Sequence, residues 1–219
     1  MWDMAITTAP TYGYDDLPAL LTRLTGDEKH DSSSFSTLDV LWVLYDRVLG
    51  RNDRFILSKG HGPTAYYAVI SAKGLLPAEL LDGFGDFDSP LGHHPDRKLV
   101  PGVEFSSGSL GHGLAVAVGA ALTGSRIFCL LGDAELDEGS NWEAVQYAGR
   151  IGLTSLTAIV IDNDSSYYGW PEGVERRFML EGWTALRVDG RDHEQLEDAL
   201  TPDPEASRPR VIVAEVESK

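Results

Sequence analysis

The chain has 219 residues, with 18 Lys and Arg against 34 Asp and Glu, for a formal net charge of −16. That length suits one large α/β unit, so residues 1–219 are expected to form a single domain. A strongly acidic chain without a basic run argues against nucleic acid or an anionic membrane as partner.

The single cysteine, Cys129, cannot form an internal disulfide and lies in an apolar stretch, where a thiol behaves as a small buried hydrophobe. The N-terminus has no basic region followed by an apolar core, and no window approaches a membrane span. A soluble, unexported, cytoplasmic protein is expected.

Along the chain, Leu17 to Leu24 and Thr37 to Leu49 carry apolar residues at spacings of three and four, which predicts two helices with one buried face each. Between them "TGDEKHDSSSFS" reads as a loop and holds His30. "RFILSKGHG" predicts a short strand entering a glycine-flanked turn with His61 at its tip. "PTAYYAVISAKG" then has Pro63 at its start and Gly74 at its end, the punctuation of a helix. Residues 83–107 are rich in Gly, Pro and Asp and predict a long ordered loop, a type of segment that tends to be functional. "GSLGHGLAVAVGAAL" predicts a glycine turn feeding a helix of small residues.

"RIFCLL" and "LTAIVID" are continuous apolar runs that suit central parallel strands, with the helix "GSNWEAVQYAGRIG" between them. "TALRVD" and "RVIVAEV" repeat the strand pattern around "RDHEQLEDALT", a helix that Asp192 would cap. The alternation predicts an α/β fold with a doubly wound parallel sheet and helices on both faces, with ligands beyond the carboxyl ends of the strands. No G-x-G-x-x-G opens a helix after the first strand, which speaks against a dinucleotide fold.

Two polar residues close the central strands. Asp133 and Asn163 lie thirty residues apart, about one strand–helix–strand crossover, so neighbouring strands would bring them to one sheet edge. A carboxylate and an amide oxygen together are ligands for Mg²⁺ or Ca²⁺ when phosphates and water complete the shell, and Gly132 lets a diphosphate approach the backbone. On these residues alone, a helix cap and a simple turn explain the pair equally well. Of the other polar groups, His61 between two glycines is accessible, His30 reads as solvated, and His193 reads as surface. Adjacent His93 and His94 cannot both point inward. His112 could cap the helix or touch a cofactor. Glu135 and Asp137 read as a solvated turn and Trp142 as core. Tyr167, Tyr168 and Trp170 form an exposed-looking cluster suited to a partner.

The segment "GDAELDEGSNWEAVQYAGRIGLTSLTAIVIDND" resembles the thiamine diphosphate motif of the transketolase family, which begins with GDG and closes with Asn about thirty residues later. "KHDSSSFSTLDVLWVLY", "RFILSKGHG", "GHHPD" and "GSLGHGLAVAVGAAL" are similar to further family motifs in the same order, so the resemblance covers nearly the whole chain. It implies that Asp133 and Asn163 bind the divalent ion with the main-chain carbonyl of Ser165, and that Gly132 and the amide of Ala134 approach the diphosphate, which His61 also contacts. Gly108 and Leu110 would line the aminopyrimidine, and His30, His61 and His94 would face the substrate. Glu138 matches a family glutamate at the interface between cofactor-binding halves.

The departures matter equally. Ala134 stands where the family usually has glycine, serines in "HDSSSFS" replace common glycines, and the chain ends before a family segment bearing another histidine. The family's pyrimidine-contacting glutamate belongs to a second domain beyond this length. The resemblance therefore implies the N-terminal subunit of a split transketolase, working with a separate pyrimidine-binding chain as a two-plus-two heterotetramer. It would bind thiamine diphosphate with Mg or Ca and pass a two-carbon ketol unit between a ketose and an aldehyde, with sugars or sugar phosphates as substrates. The alternatives are a decarboxylating relative, such as deoxyxylulose phosphate synthase or a 2-oxoacid dehydrogenase component, and a degenerate partner subunit without cofactor.

Overall fold

In the computed structural model, residues 12–26 and 31–218 are described. Five strands form one parallel sheet: β1 (Arg54–Leu57), β2 (Ile127–Gly132), β3 (Leu156–Asp162), β4 (Thr184–Asp189) and β5 (Arg210–Glu215), in the order β1-β2-β3-β5-β4. β2 is buried along its whole length and β3 up to its last residue, as strands covered on both faces must be.

The period-two alternation of side chains divides the apolar residues between two cores. Phe128, Leu130, Ile159, Ile161 and Ile212 point to the face covered by α1 (Leu17–Leu21), α3 (Leu38–Val43), α4 (Thr64–Ala72) and α8 (His193–Leu200). Cys129, Leu131, Ala158, Val160 and Val213 point to the face covered by α5 (Gly113–Ala121), α6 (Gly139–Ile151) and α7 (Val174–Leu180). The fold is thus the expected doubly wound parallel α/β sheet. No described helix is long and apolar enough to cross a membrane.

Local chemistry sets the element ends. Asp192 accepts the Glu194 and Gln195 amides at 3.0 and 3.1 Å and caps α8. Gly152, with φ 64°, ends α6 in the left-handed conformation that glycine adopts freely.

Two segments differ from expectation. Within the expected loop "TGDEKHDSSSFS", Asp31–Phe35 forms a helix, α2. Serines are indifferent helix formers, but tertiary bonds hold this turn: Ser34 Oγ pairs with Thr64 Oγ1 at 2.6 Å and accepts the Ala65 amide at 2.7 Å. Helix α7 was not expected at all, because only Val174 and Phe178, four residues apart, anchor it in the core. The helix expected over Thr37 to Leu49 is α3 followed by a π-turn at Leu44–Val48.

On β4, Arg187 gathers the strand ends. Its guanidinium bonds Asp162 at 2.8 Å and Glu215 at 2.9 Å, and also pairs with Glu175 of α7. The bond from Arg187 holds the Glu175 carboxyl below the usual range. A carboxyl depressed in the folded state stabilises the protein above its unfolded pKa, and that stability is lost as pH falls through the folded value. Arg187→Met is therefore expected to lower stability at pH 7 by about 1 kcal/mol, given the partial exposure of the cluster. The gap to wild type should close on acidification below about pH 4.3, the unfolded value for Glu. Thermal melts from pH 7 to pH 3 measure both.

Candidate cofactor and metal site

The neighbouring parallel strands β2 and β3 deliver Asp133 and Asn163 to one sheet edge, with Gly132 in register with Ile161 and the Asp133 amide donating to the Ile161 carbonyl at 2.9 Å. Asp133 is fully buried. Its Oδ1 accepts the Ser165 hydroxyl at 2.6 Å, and Oδ2 accepts the Ser165 and Ser166 amides at 2.6 and 3.1 Å. The loop doubles back because Asp164 takes φ 55°, a conformation that Asp tolerates better than most residues. Asp137 extends the cradle, accepting the Ser166 hydroxyl at 2.8 Å and the Tyr167 amide at 2.9 Å. Asp137 is thus an organiser of this loop rather than part of a solvated turn.

Asn163 is 3% exposed and its Oδ1 has no hydrogen-bond partner among the described residues. An unpaired buried amide oxygen costs about 1–3 kcal/mol, so its retention needs a reason. A turn or cap would have paired it. A buried carboxylate and an unpaired amide oxygen at neighbouring strand ends are donors of the kind a hard cation takes. Among the described residues no three His, Cys, Asp or Glu cluster as metal ligands.

Gly132, just before Asp133, packs closely on the stem of Lys59. A Cβ on Gly132 would sit 3.2 Å from Lys59 Cε. Lys59 is buried, and its ammonium donates to Ser33 O at 2.5 Å and Ser36 Oγ at 3.0 Å. Ala134 begins a 3-10 turn, Ala134–Asp137, and is not among the non-glycine residues with positive φ, so its methyl costs no backbone strain. Asn163 also lines a cleft of about 170 Å³ with Ser32, Phe35, Ser36, Arg191 and Glu217.

The second half of the site is made by two loops in contact. A Cβ on Gly60 would lie 2.6 Å from the Gly108 amide, and a Cβ on Gly108, where φ is 128°, would lie 2.8 Å from His94 Cδ2. This approach brings the His61 and His94 rings edge to face at 4.9 Å. Leu110 lies half-buried on the same turn as Gly108. His30 falls outside the described residues, but Ser33, close behind it in α2, donates to the His61 carbonyl at 3.1 Å. His93 is exposed against the Phe84 ring, and His112 sits at the start of α5 without a side-chain capping bond.

Three expectations are corrected. Glu135 is not solvated: it is 2% exposed, accepts Ser58 Oγ and the Gly111 amide, and burial raises its pKa. His193 is not merely surface, since its Nε2 lies 2.8 Å from Asp39 Oδ1. Although burial opposes ionisation of Asp39, donors from Tyr14, His193 and Arg191 hold its carboxyl below the usual range. The aromatic cluster divides: Tyr167 and Tyr168 are exposed, whereas Trp170 packs on Trp142, with Arg177 stacked over the latter at 3.7 Å. Lys59, Ser58 and the serines of α2 were missed as contributors. Short polar residues beside motif positions look like any loop until the fold turns them inward.

The molecule is thus a doubly wound parallel α/β domain with Asp133 and Asn163 buried at the ends of β2 and β3. Residues 41–216 match the family "Transketolase, thiamine diphosphate binding domain". The chain belongs to this transketolase family of transferases. It is 34% identical to one of the subunits of the apulose-4-phosphate transketolase of Actinobacillus succinogenes, over 84% of this chain and 75% of that protein, and thus corresponds to the N-terminal subunit of a split transketolase. It is also 51% identical to a protein named ferredoxin fas2 from Rhodococcoides fascians, over 97% of this chain and 75% of the relative. Ferredoxin clusters are held by cysteine thiolates, usually four, and this chain has one cysteine, so the similarity does not lie in a cluster site. Among solved structures, a transketolase from Leishmania mexicana superposes with a TM-score of 0.76 at 25% identity, covering 94% of this chain and 37% of that one. The chain thus spans little more than a third of the solved transketolase.

Proposed function

We propose that this chain, as one diphosphate-binding domain over residues 1–219, is the thiamine diphosphate- and Mg²⁺-binding subunit of a cytoplasmic two-chain transketolase. The observation that carries the reading is the unpaired, buried Asn163 Oδ1 at the end of β3, the strand paired with the one that leads into the buried Asp133. Asp133, Asn163 and the main-chain carbonyl of Ser165 hold the divalent ion. Gly132 and the Ala134 amide face the diphosphate with His61, and Gly108 and Leu110 line the aminopyrimidine. Bound thiamine diphosphate supplies the nucleophile that makes and breaks carbon–carbon bonds beside a carbonyl. His61 and His94 orient the sugar and exchange protons with its hydroxyls, a task for which the imidazole side chain is chemically suited. His30 is the third histidine assigned to the substrate. The pyrimidine-binding chain is separate, and two copies of each form the assembly. The relative named for an apulose-4-phosphate transketolase supports a sugar or sugar phosphate as substrate.

Calorimetry of thiamine diphosphate with Mg²⁺, on this chain alone and with the pyrimidine-binding chain, tests the reading, with Asp133→Ala as control. Metal-dependent binding that needs both chains and vanishes in Asp133→Ala is expected, together with ketol transfer from a ketose to an aldehyde. Turnover of pyruvate instead of a ketose would point to the decarboxylating branch. No binding by a verified two-chain complex would leave a degenerate subunit.

A further inference from the structure

Helix α5 begins directly after the Gly108–Gly113 turn, yet its own N-terminal residue His112 gives no side-chain cap. The missing acceptors come from elsewhere. The Gly113 amide donates to Ser58 Oγ at 3.1 Å, the Ser58 hydroxyl donates to Glu135 Oε1 at 2.5 Å, and the Gly111 amide donates to the same Oε1 at 3.0 Å. One buried carboxyl oxygen thus fixes the start of α5 from the 3-10 turn behind Asp133, through a serine at the end of β1. Ser140 of α6 holds the turn from its other side, donating to the Gly111 carbonyl at 2.8 Å.

The packing leaves no alternative path. A Cβ on Gly113 would lie 2.3 Å from Ser58 Oγ, and one on Gly111, where φ is 84°, would lie 2.5 Å from Ser140 Oγ. Glu135 is itself tied down, because its carbonyl accepts Asn141 Nδ2 at 2.6 Å. Its side chain therefore joins three segments: the β1 end that leads into His61, the turn bearing Gly108 and Leu110, and the loop bearing Asp133.

We infer that Glu135 is a positioning residue that sets the Gly108–Gly113 turn against the Asp133 loop, so that the two ends of the cofactor site keep a fixed separation. This rests on the reading of that turn as the aminopyrimidine contact. Glu135→Gln keeps an acceptor oxygen for both bonds, whereas Glu135→Ala removes it.

Two measurements on the full-length chain test the inference. The first is backbone amide hydrogen exchange. The second is calorimetric titration, in complex with the pyrimidine-binding chain, by thiamine diphosphate with Mg²⁺ and by magnesium pyrophosphate, which probes the diphosphate end without the aminopyrimidine contacts of the turn. In Glu135→Ala, exchange should rise across residues 108–113 but not in the sheet. Thiamine diphosphate should bind about tenfold more weakly, the scale of one or two buried hydrogen bonds, with pyrophosphate binding unchanged and Glu135→Gln restoring wild-type behaviour. Unchanged exchange in the turn, or equal weakening of both ligands, overturns the inference. If Glu135→Ala does not fold, Ser140→Ala decides: a smaller version of the same split supports it, and no split overturns it. A wild-type complex that binds neither ligand overturns the cofactor reading itself.

Discussion

Replacing Asn163 by leucine is expected to leave the chain folded, with a melting temperature equal to or above that of wild type, and to lower its affinity for magnesium thiamine diphosphate by about a hundredfold or more. The two halves of this expectation have one cause. In the folded chain, Asn163 is 3% exposed and its Oδ1 has no partner among the described residues, so the protein forgoes stability to keep a polar oxygen there. Leucine has nearly the same shape without the desolvation cost. On the proposed metal site, affinity then falls because the cation would lose its amide ligand. Sites that gain stability when a functional group is removed are those where activity has been traded against it. Thermal melts without ligand, paired with calorimetry, separate the possibilities. A large loss of stability with unchanged affinity would mean that Asn163 closes a turn and nothing more.

The fold was readable because its signals are local. "RIFCLL" and "LTAIVID" are long apolar runs, and their burial on both faces of a central sheet follows directly. Asp192 caps α8 as its position before an amphipathic run requires. The Asp133 and Asn163 pair was likewise legible as a spacing, but not as a site, since a cap explains the same residues. What distinguishes the two is the missing partner of Asn163 Oδ1, which only packing reveals. Glu135 was misread for the opposite reason. In "DAELDE" it is one of four acidic residues in six, and composition alone predicts solvation. Its burial depends on Ser58, 77 residues earlier, and on Gly111, 24 residues earlier. Helix α2 is a third case: its bonds to Thr64, Ala65 and Lys59 outweigh serine's indifferent propensity.

Gly60→Ala should damage the site by steric contact alone, costing about 2 kcal/mol of stability and lowering turnover of the two-chain enzyme by about a hundredfold. Gly60 is absent from the positive-φ glycines, so alanine meets no backbone penalty of its own and any effect is steric. Its Cβ would fall 2.6 Å from the Gly108 amide nitrogen and 2.7 Å from Ser107 Oγ. Rotating Ser107 would free its Oγ but not its Cβ, 2.8 Å away, and the Gly108 backbone cannot yield, because the bonds of Glu135, Ser58 and Ser140 fix the turn that follows it. The two loops must therefore part by nearly an ångström to restore van der Waals contact, and His61 rides on one of them while His94 packs against the other. A displacement of that size at reacting groups is enough for the hundredfold loss. Magnesium pyrophosphate, which keeps its contacts at the Asp133 end and loses only that of His61, should still bind, though more weakly. Steady-state kinetics, melting curves and that titration together test the prediction, and turnover within a few-fold of wild type would show that the contact between the loops is not needed for catalysis.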